Sequence, residues 1–303
     1  MRPADADILA VVTSLGTIIT AMVTPFDGRE RIAEDSTAAL MHHLVANGSD
    51  GLVLSGTTGE ASTLTDDEKL RLFEIGVREV GGSASVIAGT GSNDTAHSVH
   101  LTEKAAEIGV DAVLVVTPYY NKPPRAGIIG HVRAIAEVGV PVILYNIPSR
   151  SVVNIPADLI VELAQIPGVV GIKEANSDQA AETLATGLPV WAGNDDLFVD
   201  VVTGGGAGVI SVASHLAGPQ MQEIARAARA GDHDEARRRD AALHPLYEGL
   251  FTVTSPILIK AALEMTGVVP PGPLRLPLVA ATSEERQELA RVLENVGVLV
   301  SAS

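Results

Sequence analysis

The sequence contains no cysteine, which excludes disulfides, thiolate nucleophiles, thiolate zinc sites and iron–sulfur clusters and indicates a reducing, cytoplasmic location. Basic residues are also scarce, since 21 Lys and Arg stand against 37 Asp and Glu, for a formal net charge of −16. A nucleic-acid partner requires a large basic face, so this balance argues against one. The longest apolar stretch, residues 138–145, is interrupted by Gly139 and Pro141. It falls short of the roughly 18 residues that cross a membrane, so we expect no membrane association.

Tyrosine and lysine, which supply a phenol or an amine to a catalytic site, are rare in this chain. The 303 residues include four tyrosines and five lysines. At the same time, 46% of the residues are apolar, which is enough to bury a full hydrophobic core. Chemistry that requires a phenol or an amine therefore has few locations open to it.

A short apolar or β-branched run followed by an amphipathic stretch recurs eight times between residues 16 and 230. The strand-like runs are 17–23, 51–54, 85–88, 112–116, 142–145, 169–173, 190–192 and 208–212. The helical patterns are 36–46, 66–80, 95–108, 126–138, 157–165, 179–186, 196–202 and 219–230. Runs such as 112–116 are apolar on both faces, which is typical of a parallel sheet covered by helices. The pattern predicts an α/β fold, a (β/α)8 TIM barrel over residues 16–230, with an open doubly wound sheet as the alternative.

Three further helices are predicted after the barrel, at 232–250, 256–266 and 283–295. The Pro-rich segment 268–277 is the longest linker-like stretch among them. We therefore predict that residues 231–303 form a C-terminal three-helix extension packed on the barrel.

The active site of a parallel barrel lies at the carboxyl ends of its strands, and one lysine occupies such a position. Lys173 follows the apolar residues 169–172, where the barrel mouth has low-dielectric walls. Desolvation lowers the pKa of an amine and so creates the neutral nucleophile that a Schiff base with a carbonyl substrate requires. The alternative is a lysine paired with Glu174 at the rim. The other lysines fall on predicted helices or in a Pro-rich loop: Lys69, Lys104, Lys122 and Lys260.

Other polar residues follow neighbouring strands. Tyr145 ends the fifth strand and can transfer protons during imine formation, with a packing role as the alternative. The turn at residues 56–59, which contains Thr57 and Thr58, offers N–H groups and hydroxyls to a carboxylate or phosphate. Arg150 can hold a second carboxylate or can be a surface arginine.

The histidines are poorly placed to bind a metal ion. Of the eight, His215 alone lies just beyond a predicted strand, while His97 and His100 share a helix face without an obvious third ligand. A metal-dependent aldolase requires several ligands at the strand ends, so we expect no metal. The glycine run at 204–208 precedes a strand, which does not fit a dinucleotide-binding motif, and we expect no cofactor.

Several motifs resemble a known family over nearly the whole chain. Residues 56–60 (GTTGE), 145–148 (YNIP) and 171–174 (GIKE) resemble the class I aldolase superfamily that includes N-acetylneuraminate lyase and 2-keto-3-deoxy-sugar-acid aldolases. Residues 118–123 (PYYNKP), together with Arg150 after Pro148 and Ser149, are more specific. They resemble the dihydrodipicolinate synthase (4-hydroxy-tetrahydrodipicolinate synthase) family.

The resemblance implies a role for each residue of the site. Lys173 would form the imine with pyruvate, whose carboxylate would rest on Thr57 and Thr58. Tyr145 would shuttle protons, linked through Thr57 to a Tyr120 contributed by a neighbouring subunit. The family resemblance further implies a homotetramer.

The second substrate implied by the resemblance is aspartate 4-semialdehyde. Its carboxylate would bind Arg150, while Gly193 and Ile210 would shape the pocket. The closest alternative activity is cleavage of a sugar acid to pyruvate, against which Arg150 and Tyr120 argue, because a sugar chain calls for neutral hydroxyl partners. A further alternative is a protein that keeps the barrel fold but serves only as a binding or regulatory protein. The intact set of catalytic residues speaks against it.

Feedback regulation is the point at which the sequence departs from the family. Some members bind lysine at a subunit interface through histidines and a glutamate. The matching positions here are Asp66, Lys69 and His97, although Asn93 and Tyr119 remain. We therefore predict that inhibition by L-lysine is weak or absent.

Overall fold

The computed structural model describes residues 3–298, in which eight parallel strands form a closed barrel. The strands are β1 (Ile18–Ala21), β2 (Gly51–Leu54), β3 (Ser85–Gly89), β4 (Ala112–Val116), β5 (Val142–Asn146), β6 (Val169–Glu174), β7 (Val190–Ala192) and β8 (Gly208–Ser211). Strands pair in sequence order and β8 returns to β1, with Ile19 opposite Ile210. This closure confirms the predicted barrel and excludes the open sheet.

Helix α1 precedes β1, and the following helices alternate with the strands around the barrel. They are α1 (Pro3–Leu15), α2 (Glu34–Ala46), α3 (Asp66–Val80), α4 (Thr95–Ile108), α5 (Arg125–Ala136), α6 (Pro148–Ser151), α7 (Ala157–Leu163), α8 (Ala180–Ala185), α9 (Phe198–Thr203) and α10 (Ser214–Arg229). At the start of α3, Thr65 Oγ1 accepts from the Glu68 N–H at 3.3 Å and Glu68 Oε2 accepts from the Thr65 N–H at 2.9 Å. This reciprocal cap fixes where the helix begins.

Side chains on each strand alternate between the inside of the barrel and the helix layer. Ile19, Ile143 and Trp191 lie inside the barrel in one apolar cluster that also contains Tyr145. Their neighbour Ile18 belongs to the larger cluster between strands and helices. Both faces of the strands are therefore buried, as the continuous apolar runs predict.

The C-terminal helices contain one more break than the sequence pattern predicts. The predicted helix 232–250 is two helices, α11 (His233–Ala241) and α12 (His244–Leu250), followed by α13 (Ile257–Met265) and α14 (Ser283–Asn295). Pro245 has no N–H to donate, and its ring would clash with the carbonyl of Ala241 in a continuous helix, so α11 ends there. Residues 299–303 of the predicted extension lie outside the described residues.

Helix α1 was not among the predicted elements. Val12 and Leu15 are buried against the inner cluster of the barrel. Ser85 Oγ donates a hydrogen bond to the Leu15 carbonyl at 2.8 Å, at the amino end of β3. Helix α1 thus closes the end of the barrel opposite the strand carboxyl ends. Across residues 3–298, every helix is too short or too polar to cross a membrane.

Candidate active site

Lys173 lies near the carboxyl end of β6 and points into the barrel. Its neighbour Glu174 faces the helix layer, because successive strand residues alternate. There the Glu174 carboxylate accepts hydrogen bonds from Asn146 Nδ2 at 2.9 Å and from Thr183 Oγ1 at 2.8 Å. Glu174 is therefore held by groups on its own side of the sheet, and the alternative of a Lys173–Glu174 pair at the rim is wrong.

The surroundings of Lys173 favour its neutral form. The side chain is 5% exposed, and burial lowers the pKa of Lys173 from 10.5 to about 8. The carboxylate of Asp195 opposes this lowering, and the positive charge of Arg150 adds to it. At pH 7 the neutral fraction of such an amine is about 300-fold larger than that of an ordinary lysine. The geometry thus supplies the nucleophile that imine formation requires.

Tyr145 lies beside Lys173 because β5 and β6 pair in a register that places the two residues opposite each other. The Lys173 Nζ is 4.5 Å from the centre of the Tyr145 ring. Burial raises the pKa of Tyr145 to about 12, while the charge of Arg150 and a side-chain hydrogen bond with Thr57 act in the opposite direction. Tyr145 therefore stays protonated at neutral pH and can donate or relay a proton close to the amine.

A cavity of about 630 Å³ opens at this end of the barrel. Thr57, Tyr119, Tyr145 and Arg150 are among the residues that line it. Lys173 lies beneath this surface, covered by the Tyr145 ring. A ligand in the cavity therefore meets the phenol, a threonine hydroxyl and a guanidinium before it reaches the amine.

The turn at residues 56–59, here called the glycine–threonine turn, connects β2 to the cavity. The Glu60 N–H donates to the Thr57 carbonyl at 3.1 Å, and the Gly59 N–H donates to the Gly56 carbonyl at 3.1 Å. Thr58 is buried and Thr57 is exposed to the cavity. The turn therefore presents one threonine hydroxyl outward on a backbone that two of its own hydrogen bonds close.

Arg150 enters the site from α6, which follows β5 after Ile147. Its Nη2 donates to Thr254 Oγ1 at 3.2 Å, and the rest of the guanidinium is exposed. Its positive charge acts on both Lys173 and Tyr145. Arg150 is thus close to the amine and still has donors free for an anionic ligand.

Gly193 is partly buried and Ile210 fully buried, and neither is among the residues that line the cavity. The Gly193 N–H donates to the Glu174 carbonyl at 2.6 Å, and a Cβ at this position would lie 2.6 Å from the Cβ of Ala175. Ile210 is 1% exposed and packs inside the barrel in the cluster that contains Tyr145. Both residues therefore restrict the space around the catalytic strand ends.

Tyr120 is the predicted site residue that this chain does not bring to the site. It is 87% exposed, with a left-handed φ of +72°, while the adjacent Tyr119 lines the cavity. The structure therefore brings together Lys173, Tyr145 and Thr57 and leaves Tyr120 projecting from the surface.

Asp195 is a part of the site to which the sequence pattern assigned no catalytic role. Its buried carboxylate accepts from Ser211 Oγ at 2.5 Å and from the Ala213 N–H at 2.9 Å. Burial raises the pKa of Asp195, which these hydrogen bonds and the charge of Lys173 counteract. The position of Asp195 directly after β7 was the available signal, because that is where barrel active sites are built.

The three positions that depart from the family's lysine site form a cluster of their own. Asp66 accepts from Lys69 Nζ at 3.2 Å and lies 2.8 Å from His97 Nε2. Lys69 and His97 line the same cavity as Asn93 and Tyr119. A cationic lysine ligand in this part of the cavity would meet the positive charge of Lys69.

A buried lysine beside a tyrosine at the mouth of a (β/α)8 barrel defines the class: a lyase of the class I aldolase kind. The chain belongs to the dihydrodipicolinate synthetase family, whose model matches residues 14–296.

Known relatives cover nearly the whole chain. The 4-hydroxy-tetrahydrodipicolinate synthase of Symbiobacterium thermophilum is 51% identical over 292 residues, which is 94% of this chain and 99% of that protein. A dihydrodipicolinate synthase from Cyanidioschyzon merolae with lysine bound superposes with a TM-score of 0.91 at 40% identity, covering 94% of this chain and 99% of that one. The chloride-inhibited enzyme from Acinetobacter baumannii complexed with pyruvate has a TM-score of 0.91 at 35% identity, covering 94% and 100%. The predicted family is thereby confirmed.

Proposed function

We propose that this chain condenses pyruvate with L-aspartate 4-semialdehyde, the 4-hydroxy-tetrahydrodipicolinate synthase reaction of lysine and diaminopimelate biosynthesis. The observation that carries the proposal is the buried Lys173 amine, with its pKa lowered to about 8, next to the Tyr145 ring. The relatives that bear the name of this enzyme match nearly the full chain. The related structure from Acinetobacter baumannii is described as a complex with pyruvate.

The reaction begins at Lys173. The neutral amine attacks the keto carbon of pyruvate, and the carbinolamine loses water to give the imine. Loss of a methyl proton gives the enamine, whose carbon attacks the aldehyde of the second substrate. The amine of that substrate then attacks the imine carbon, closing the ring and releasing Lys173. Each step after the first addition moves a proton, so a proton relay next to the amine is required.

Tyr145 and Thr57 supply that relay. Thr57 and Tyr145 line the same cavity, and the pKa of Tyr145, raised to about 12, keeps its proton in place at neutral pH. The exposed Tyr120 completes the relay from a neighbouring copy in a homotetramer. The 87% exposure and left-handed backbone of Tyr120 support this role, because such a side chain is free to enter another subunit.

The two substrate carboxylates bind at different places. The glycine–threonine turn holds the carboxylate of pyruvate through Thr57 and Thr58. Arg150, with free guanidinium donors, holds the carboxylate of the semialdehyde. Gly193 and Ile210 limit the pocket between them.

We assign catalysis to the barrel at residues 16–230 and place the start of the C-terminal extension at residue 231. The protein acts in the cytoplasm, where the substrates of amino-acid biosynthesis are found.

A substrate comparison tests the proposal. Purified protein is incubated with pyruvate and aspartate 4-semialdehyde, and ring formation is followed together with loss of both substrates. The same protein is incubated separately with N-acetylneuraminate and with 2-keto-3-deoxy sugar acids, and pyruvate release is measured. We expect turnover in the incubation with pyruvate and the semialdehyde, and none in the incubations with sugar acids. Faster pyruvate release from a sugar acid would overturn the assignment, and so would the absence of turnover with every substrate.

A further inference from the structure

A buried ion pair connects the glycine–threonine turn to the C-terminal helices. Glu60 Oε1 lies 2.7 Å from Lys260 Nζ, and the two side chains are 0% and 9% exposed. Glu60 Oε2 accepts from the Arg275 N–H at 3.0 Å. Both carboxylate oxygens are therefore occupied by groups from the segment 260–275, which lies 200 to 215 positions further along the chain.

The same lysine holds three segments at once. Lys260 Nζ also donates to the Thr24 carbonyl at 3.1 Å and to the Pro273 carbonyl at 2.8 Å. Thr24 in turn donates its Oγ1 hydrogen to the Gly59 carbonyl at 2.7 Å, within the turn itself. Lys260 therefore contacts the turn in two ways. It pairs directly with Glu60, and it binds Thr24, which in turn binds Gly59.

An aromatic ring packs against both cations of this arrangement. Lys260 Nζ lies 4.5 Å and Arg275 Cζ 4.4 Å from the centre of the Phe26 ring. The side chain of Arg275 also donates to Glu68 Oε2 and to the Thr63 carbonyl, both at 2.8 Å, just beyond the turn. Cation–π contacts and charge-assisted hydrogen bonds therefore fix the position of the pair.

Glu60 holds a backbone conformation that few residues adopt. Its φ is +59°, in the left-handed region, and its N–H donates to the Thr57 carbonyl. Left-handed backbone at a non-glycine residue costs about 1 kcal/mol or more and persists where the surroundings enforce it. The ion pair with Lys260 holds the side chain of this residue, one backbone hydrogen bond away from Thr57.

We propose that Glu60 and Lys260 are positioning residues, which hold the glycine–threonine turn in the geometry that binds the carboxylate of pyruvate and so make that binding depend on the C-terminal extension. This inference rests on the proposed function. A turn released from the pair would lose preorganisation for the carboxylate, whereas Arg150 would keep its position, because its partner Thr254 is not substituted. Loss of the pair is therefore expected to weaken the binding of pyruvate and to leave the binding of the semialdehyde unchanged.

Two variants test the pair. Glu60→Gln with Lys260→Met removes both charges together and leaves neither partner buried and unpaired. Lys260→Met alone removes the amine and keeps most of the apolar stem against Phe26. The matched control is Arg286→Met, which removes an ion pair with Glu264 at 3.0 Å between α13 and α14, in the same extension.

The readout is the split between kinetic parameters, measured on protein whose folding is verified by circular dichroism. We expect the KM for pyruvate to rise about tenfold or more in the double variant, with kcat and the KM for the semialdehyde changed by less than about threefold. The pH midpoint of borohydride trapping with pyruvate should stay that of the wild type, because neither residue acts on Lys173. Arg286→Met should leave all of these values unchanged.

The outcomes separate the two claims. A folded double variant whose pyruvate KM stays within about twofold of the wild type would overturn the positioning role. Equal losses for both substrates would also overturn it, since they would indicate general damage. If Lys260→Met does not fold, the pyruvate KM of the double variant tests the positioning role by itself. If the wild type itself forms no borohydride-stable adduct with pyruvate, the proposed function fails, and this failure is visible before any variant is made.

Discussion

Replacing Lys173 with methionine should stabilise the fold while abolishing its chemistry. The amine is 5% exposed, and its pKa falls from 10.5 to about 8 because burial disfavours the charged form. Below pH 8 the amine is charged in both the folded and the unfolded state, so the whole penalty is present, about 3 kcal/mol at pH 7. The penalty shrinks as the pH rises from 8 towards 10.5, since the folded amine loses its proton first, and is about 1.4 kcal/mol at pH 9.5.

Urea unfolding of the wild type and Lys173→Met at both pH values measures this difference. Protein concentration must be held fixed, because assembly changes apparent stability. Lys104→Met is the matched control, since Lys104 pairs with Glu107 on the exposed face of α4 and should change the free energy of unfolding by about 0.5 kcal/mol or less. A Lys173→Met protein that is less stable than the wild type at pH 7, or whose advantage does not diminish at pH 9.5, would refute the reasoning.

Three further predictions concern the same end of the barrel. In Asp195→Asn, the pH midpoint of pyruvate trapping should fall below that of the wild type, because the carboxylate that favours protonated Lys173 is gone; an upward shift would contradict this. In Arg150→Leu, steady-state kinetics should show a rise of about tenfold or more in the KM for the semialdehyde with trapping of pyruvate retained, and an unchanged KM would argue against a carboxylate at Arg150. L-Lysine added to the wild-type assay should inhibit weakly or not at all, because Lys69 and His97 replace the family's ligands, and a micromolar inhibition constant would disprove this.

Periodicity and strand-end position predicted much of the fold and of the site. The apolar runs gave the eight strands because residues buried on both faces leave a continuous signal in the sequence. The elimination of lysines by position pointed to Lys173, and the structure places it next to Tyr145 as adjacent parallel strands require.

What the sequence did not reveal depends on contacts distant along the chain. The sequence pattern predicts only that Lys260 lies on a helix. Its side chain becomes buried because α13 packs beside Glu60, which follows the glycine–threonine turn. The role of Asp195 likewise depends on the hydrogen bond that its carboxylate accepts at the start of α10, which the sequence does not show. The break before α12 is an exception, because Pro245 was visible in the sequence and its effect on a continuous helix was overlooked.

Peptide mapping after borohydride reduction in the presence of pyruvate tests the central claim most directly. The account predicts one pyruvate-derived adduct, located on the peptide that contains Lys173, and its loss in Lys173→Met with the fold intact. An adduct on any other lysine, or one that persists in Lys173→Met, would contradict it.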